Sequence, residues 1–409
     1  MERHRLDQLE VGVTYWPAEV GPYMWHEFNP AVVARDLADI ASRRIPVVRV
    51  LLSWDVFMPS DRAPNARRMR DLETLLNLAR ELGLGVVITL FAQSLGDCVM
   101  LPAYAVDRRA ARPGVRCLTD ARVVEGGPRD IYADPLMLEV QVRWIDALLA
   151  GFAHHPAVAG WDLGHDPATT IRPRRIAQVV AWTALLAERI HAQDERCRLT
   201  LGQDDVLSGR GVRLAAVAAH LDVLSLAIRP DRAALPPGRV PADNCVFVLE
   251  LARALVGADV PLVADIGMAT GDGGAGRADA VAAAPADHAG SVPDDRRVTD
   301  RVVGQLLAAG VAGIHCAAWS DWGARLLEAA PADRAPWLAQ QGIVDSIGHS
   351  KPSAAVWESL AGTGREARSV SPYPGSIDVE SYYANLPDSL FDLHASWQDL
   401  RSDLPAILG

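Results

Sequence analysis

Eight times along this 409-residue chain a short apolar run is followed by an amphipathic stretch long enough for a helix. That alternation calls for parallel strands, because a strand followed by a helix re-enters its sheet in the same direction rather than as a hairpin. The predicted strands are Gly12 to Trp16, Pro46 to Leu52, Gly85 to Phe91, Val158 to Leu163, Arg198 to Gly202, Val223 to Ile228, Pro261 to Asp265 and Gly313 to Trp319. Most are nearly continuous apolar runs, as strands buried on both faces require. Between them, Asn29 to Arg44 opens with an Asn-Pro helix start, and Ala66 to Leu82 closes at Gly83. Eight such units predict an α/β fold, a closed (β/α)8 TIM barrel. An open doubly wound sheet would favour a glycine-rich loop after the first strand, and Tyr15-Trp16-Pro17-Ala18-Glu19 contains none.

Two long insertions follow strand ends, the face on which a barrel carries its chemistry. Ala92 to Asp134 is expected to wall a pocket. Gly271 to Asp295, rich in Ala, Gly and Asp, is expected to be mobile. Its run Gly271 to Gly276 reads as a linker rather than a nucleotide loop, since no helix start with Lys-Ser/Thr follows. Residues 1–362 are assigned to the barrel and 363–409 to a tail. Its Tyr382, Tyr383, Leu390, Phe391 and Trp397 are expected to pack on the barrel's outside, with an oligomer contact as the competing use.

Hydrophobic residues make up 50% of the chain and charged ones 22%, which suits a soluble protein with a large core. A net charge of −11 argues against a nucleic-acid partner. No apolar run reaches membrane-spanning length, and the charged start Met1 to Leu6 has no apolar signal core behind it, so the reading is cytoplasmic. Cys98, Cys117, Cys197, Cys245 and Cys316 are scattered without a Cys-x-x-Cys pair and read as structural thiols. No helical His/Glu/Asp spacing marks a metal site, and no cofactor is implied.

The segment Gly160-Trp161-Asp162-Leu163-Gly164-His165-Asp166-Pro167 ends an apolar strand in a polar pair and a proline. It resembles the fourth-strand motif of clan A glycoside hydrolases, where that place reads Asn-Glu-Pro and the glutamate is the general acid/base. Pro261 to Gly267 is similar to the seventh-strand motif that carries the nucleophilic glutamate before an aromatic residue. The opening Gly12 to Pro17 with Trp25 resembles bacterial members related to families 5 and 42. Val48 to Trp54 resembles their second strand, whose arginine, here Arg49, lies beneath the nucleophile. Gly313 to Asp321 is similar to the eighth strand, whose tryptophan, here Trp319, floors a sugar subsite. Gly342-Ile343-Val344 and Ser350-Lys351-Pro352 complete a likeness covering residues 11 to 362.

The departures fall where chemistry is done. His165 replaces the asparagine, Asp166 the acid/base, Asp265 the nucleophile and Ile266 the aromatic residue, while Arg229-Pro230 ends the sixth strand where relatives often place His or Tyr. Each Glu-to-Asp change withdraws a carboxylate by about 1.5 Å, which widens a pair that retaining enzymes hold about 5 to 5.5 Å apart. His165, able to exchange protons near neutral pH, completes an acid/base set with Asp166 and Asp265 and no evident nucleophile. The leading expectation is dehydration or elimination-driven cyclisation of a hydroxylated small molecule. Hydrolysis of a β-glycoside is the alternative, and a non-catalytic sugar- or protein-binding barrel the third. As a structural alternative, His165 hydrogen-bonds a loop and Asp166 pairs with Arg172 or Arg49. Trp16, Trp54 and Trp319 end strands and are candidates for a stacking floor. Arg49, Arg229, Gln93, Asp97 and Asp204 are candidate substrate contacts, and Asp204 and Asp205 are equally suited to capping the next helix. Asp162 reads as a satisfied core carboxylate, and His154 and His155 lie at the opposite end of the fourth strand.

Overall fold

The computed structural model describes residues 6, 8–91, 94–208, 211–229, 241–257, 260–268, 295–365 and 377–402. Eight parallel strands close into a barrel: β1 Glu10–Thr14, β2 Val47–Leu51, β3 Gly85–Thr89, β4 Val158–His165, β5 Cys197–Gly202, β6 Val223–Ile228, β7 Leu262–Ile266 and β8 Gly313–Cys316. β8 pairs back onto β1, so the predicted TIM barrel is the observed fold. Near the C-terminal rim Gly202, Ala227, Asp265 and His315 lie side by side across four neighbouring strands.

The helices close the outer layer for reasons visible in the chain. Asn29 caps the helix Pro30–Ser42, its side chain accepting from the amides of Ala31 and Val32 at 3.0 and 3.4 Å. Such a cap is worth about 1 kcal/mol. Val33, Leu37 and Ile40 recur at helical spacing and form its buried face. Asn65 caps Ala66–Glu81 in the same way.

Seven of the eight strands differ from their predicted limits, by one to three residues at an end, and in two of them the difference has a clear physical reason. β1 begins earlier, at Glu10, because that carboxylate is neutralised inside the barrel: Arg198 donates to its two oxygens at 2.7 and 2.9 Å, and His315 Nε2 lies 2.8 Å away. β8 stops at Cys316, and after Ala317 the chain resumes as Ala318–Ser320, which pairs with Gly342–Val344 outside the barrel.

The first insertion folds, over its described residues, into a four-stranded sheet of Ser94–Leu95, Cys98–Met100, Arg116–Thr119 and Arg122–Val124, with a ribbon of Val106–Asp107 and Gly127–Pro128. Arg116 binds Asp97 and Asp333, each at 2.7 Å, and so ties this sheet to the segment after β8. At the same junction Gly96 adopts φ +60°, and a Cβ there would come within 2.8 Å of Ala335. The second insertion lies, apart from Asp295, outside the described residues, as do Gln93 and Pro230.

The tail helices Val379–Ala384 and Asp388–Ser402 lie against the barrel's outer layer. Tyr382 donates to the Val206 carbonyl at 2.9 Å, Trp397 donates to Glu250 at 2.6 Å, and Phe247 packs edge-on against His394 and Trp397. Leu390, His394 and Trp397 share one helical face, and Phe391, one step off it, is exposed rather than packed. All five cysteines are buried thiols. Among the described residues no helix is long and apolar enough to cross a membrane, and no cluster of three or more His, Cys, Asp or Glu is arranged to hold a metal.

Candidate active site

Asp265, next to last in β7, is fully buried inside the barrel. Its Oδ2 accepts from Arg49 Nη2 at 2.8 Å, Arg229 Nη2 stands 3.9 Å off, and Oδ1 is buried without a partner. Burial alone would raise its pKa, but the Arg49 and Arg229 charges, with His165 and His315, hold it down to about 2. Asp265 is therefore an anion at neutral pH.

Arg49 is buried too, and it divides its donors. Nη2 also reaches His165 Nδ1 at 3.1 Å, and Nη1 donates to Thr200 Oγ1 at 3.2 Å. A guanidinium has no acceptor, so Nδ1 must accept and the imidazole carries its proton on Nε2. Burial, then the Arg49 charge, presses the His165 pKa down to about 3. This corrects the expectation that His165 exchanges protons near neutrality: the group stays a neutral imidazole.

Asp166 follows at once, in the left-handed region at φ 49° and ψ 51°. Aspartate tolerates that conformation better than most residues. Its amide donates to the Thr200 carbonyl at 2.8 Å, and Oδ2 accepts from Thr169 at 2.8 Å. The carboxylate lies over Gly202, where a Cβ would come within 2.4 Å of Oδ1, itself buried without a hydrogen-bond donor. Burial, reinforced by the charge of Asp204, pushes this carboxyl up to about 7. Asp166 binds neither Arg49 nor Arg172 among its hydrogen bonds. Arg229 is the cation whose charge reaches both Asp166 and Asp265.

Asp162 has no spare valence. Thr89 and Thr200 hydroxyls donate to Oδ2 at 2.9 and 2.8 Å, and the amides of Thr200 and Gly164 donate to Oδ1 at 3.0 and 3.2 Å. It is a satisfied core carboxylate that holds the ends of β3, β4 and β5 together.

Among the described residues a cavity of about 20 Å³ remains at the mouth, lined by Thr14, Trp16, Arg49, His165, Arg229 and Trp322 and covered by Leu95 and Leu338. That is room for about one water. Asp166, Asp265, Trp54 and Trp319 are not among its lining residues; the two carboxylates adjoin it through His165, Arg49 and Arg229. Trp54 packs against Phe91 and Tyr104 at 5.7 and 6.3 Å between ring centres, in the core. Trp319 is carried outward by the break after β8, where it borders a groove beside the helix Pro30–Ser42 with Arg43 stacked 5.4 Å over its ring. Trp322 instead reaches the mouth, its indole N–H buried and unpartnered. Asp97 is engaged by Arg116 and Arg334 and serves the junction of the loops. Asp204 is exposed on the first turn of the helix Gln203–Leu207.

Several residues at or beside the mouth were not among the sequence candidates. Besides Trp322, Gln203 accepts from the Arg229 amide at 2.9 Å, and Gln341 and Arg229 crowd Gly267, their side-chain atoms 2.7 and 2.6 Å from where a Cβ would stand. Gln341 directly precedes Gly342-Ile343-Val344, a position that points to it. Trp322 carries no such signal, because the chain break that aims it is not written in the local pattern.

No protein-family model and no curated protein matches the sequence. Solved structures do. An exo-β-1,4-mannosidase from Opitutaceae bacterium strain TAV5 superposes with a TM-score of 0.67 at 19% identity, over 88% of this chain and 62% of that one. GH5_18 from Streptomyces cattleya in complex with GlcNAc matches at TM-score 0.72 and 17% identity, over 98% of this chain and 93% of that one. A further structure of GH5_18 from that organism, in complex with Manβ1-4GlcNAc, gives 0.71 and 19%, over 96% and 92%. The chain thus spans less than two thirds of the mannosidase and nearly all of the Streptomyces protein. At these identities the likeness is one of architecture: the chain has the (β/α)8 barrel fold found in members of glycoside hydrolase family 5.

Proposed function

We propose that the protein hydrolyses a β-glycoside, with Asp166 as the general acid and Asp265 as the carboxylate that faces the developing positive charge. The observation that carries this reading is the placement of two carboxyls at the C-terminal ends of β4 and β7 in opposed surroundings: Asp166 is wedged over Gly202, where burial pushes it up to about 7, and Asp265 is bound by Arg49 at 2.8 Å, whose charge with that of Arg229 holds it down to about 2. Two acids whose surroundings drive their ionisations apart are the arrangement that divides acid from anion at a glycosidic bond. Asp166 gives its proton to the departing oxygen as the C–O bond breaks. Water attacks the anomeric carbon and passes its proton to the unpartnered Oδ1 of Asp265. The shortened arms favour water over the carboxylate as attacker, and with it inversion of configuration.

Dehydration or cyclisation, the leading expectation from the sequence, required a proton-exchanging imidazole, and burial, joined by the Arg49 charge, keeps His165 neutral. The structural neighbours are glycoside hydrolases, which also favours hydrolysis. Because two of them are named for β-mannoside cleavage or a mannosyl ligand, β-mannosides are the substrates to try first.

The test is incubation of the purified protein with Manβ1-4GlcNAc and aryl β-glycosides, followed by proton NMR. A reducing sugar formed first with inverted configuration supports the reading. An unsaturated product would replace it with elimination, and no turnover across β-glycosides by folded protein would overturn it. The rate should hold through mildly acidic pH and fall as pH rises through about 7, when Asp166 loses its proton, while an acid limb from Asp265 should lie near 2.

His165→Asn provides a separate check. An amide oxygen accepts from Arg49 as Nδ1 does, so turnover should stay within about tenfold of wild type and the pH profile should keep its shape. A loss of about two orders of magnitude or more would return His165 to proton transfer.

A further inference from the structure

The small cavity at the mouth is lined by side chains with protons to give and little to receive them. The indole N–H of Trp322, the Nε–H of Arg49 and the Thr14 hydroxyl are buried without a partner. Arg49 takes up Nδ1 of His165 at 3.1 Å, which leaves the Nε2 proton of that ring over. Arg229 spends Nη1 on the carbonyls of Ile228 and Asp265 at 3.0 and 2.9 Å, and its Nε–Nη2 edge makes no hydrogen bond among the described residues. Of the described lining residues Gln341 alone brings a side-chain carbonyl, and that oxygen stands beside Arg229 Nε, the two atoms 2.7 and 2.6 Å from where Gly267 would carry a Cβ. Thr14, Arg49 and His165 stand on β1, β2 and β4, and Arg229 directly follows β6, so the barrel itself fixes most of these donors.

The charges are as uneven as the hydrogen bonds. Arg49 has Asp265 at 2.8 Å and Asp162 at 4.0 Å. Among the described residues Arg229 has no carboxylate nearer than Asp265 at 3.9 Å, through the same oxygen that Arg49 already holds. Buried donors without partners are costly, and a cavity of about 20 Å³ is small enough for those around it to converge on one ligand group. A water, or a neutral sugar hydroxyl, adds a donor of its own in the act of accepting. A carboxylate brings lone pairs alone, about four of them, in a plane that matches the free edge of a guanidinium.

We propose that the sugar held at this mouth is a hexuronic acid, its C-6 carboxylate lying on the Nε–Nη2 edge of Arg229 with the Trp322 indole N–H and the Thr14 hydroxyl as further donors. The inference rests on the reading of the protein as a β-glycosidase and names the substrate class of that same site, a β-uronide. A saccharide reaches these groups when Leu95 and Leu338 part. A neutral sugar in the same place leaves the guanidinium edge unmatched, which is how a site built around one polar group rejects the analogue that lacks it.

The experiment is calorimetric titration of the purified protein, near neutral pH and at low salt, with methyl β-mannuronide and methyl β-glucuronide against methyl β-mannoside, methyl β-glucoside and methyl β-mannoside 6-sulfate. At least one uronide should bind about tenfold or more tighter than its neutral counterpart, the worth of hydrogen bonds to a charged group. Arg229→Gln should cut that preference to about threefold or less, and Arg229→Lys, which keeps the charge and loses the planar edge, should keep only part of it. Trp322→Phe keeps a ring and removes the N–H, and should weaken uronide binding by about three- to tenfold. Equal affinities for uronide and neutral sugar, or no binding of either, would overturn the proposal and are readable in wild type even if no variant folds. Tighter binding of the sulfate ester, or a preference that survives Arg229→Gln, would overturn it as well. If uronides bind as expected and none is hydrolysed, the subsite stands and the assignment of hydrolysis falls. If neutral glycosides are hydrolysed and uronides are not preferred, hydrolysis stands and the uronide falls.

Discussion

Asp265→Asn should lower kcat/KM for any β-glycoside that the protein turns over by about two to four orders of magnitude, the usual worth of a lost acid, base or charge-stabilising group. Asparagine keeps an oxygen for Arg49 to bind and nearly the same volume, so the change removes charge more than shape. Arg49 and Arg229 then face the mouth without their counter-ion, and a positive potential meets a transition state that is itself becoming positive. The opposite result is expected from lengthening the arm. Glutamate at 265 and 166 together moves each carboxylate forward by about 1.5 Å, which should raise hydrolysis and shift its product toward retained configuration. Initial rates with a mannoside and NMR of the first-formed anomer decide both. An Asp265→Asn protein within tenfold of wild type would remove this residue from the chemistry.

The strand ends that carry these carboxylates were legible to within two residues because an apolar run closing in a polar residue marks where a strand buried on both faces reaches the rim. β6 was read to the residue, having no charge within it. β1 was read two residues late because Glu10 looks like a surface residue until Arg198 and His315, distant in sequence, are brought against it. Trp319 was placed at the mouth by counting along β8 as one unbroken strand, and the break at Ala317 falsifies the count from there on. His165 shows a deeper limit. Its residue type suggested a titrating group, but its ionisation is set by Arg49, 116 positions away in the chain, and by burial that only the closed barrel creates.

Arg49→Met should destabilise the fold by about 3 to 5 kcal/mol at neutral pH, the cost of removing one partner from a buried ion pair. Methionine fills much of the volume, so the loss is mostly electrostatic: Asp265 is left as an unpaired anion, and His165 and Thr200 lose a donor. The pH dependence has a definite sign. The Asp265 carboxyl has a pKa of about 2 in the fold against an ordinary 3.8, so its pairing contributes fully above the ordinary value and is lost as pH falls toward 2. The stability gap between wild type and Arg49→Met should therefore be widest at neutral pH and narrow as the solution is made acidic. Denaturant unfolding at neutral and acidic pH measures this, and a gap below about 1 kcal/mol at neutral pH would show that Arg49 is not the organising cation of the barrel.

The ion pairs of Arg116 reach further than the loops they join. Leu95 and Leu338 line the mouth from two different segments, and the largely buried Arg116 fastens those segments through Asp97 on one side and Asp333 on the other. Two covers latched to each other cannot lift one at a time. Entry of any substrate of the proposed hydrolysis would then require both segments to part together, with a barrier that includes breaking ion pairs whose side chains are 11, 22 and 32% exposed and so partly open to the surrounding electrolyte. Salt, which shields such charges, would act here as a hand on the latch: it speeds admission to the barrel without touching any residue that meets the substrate.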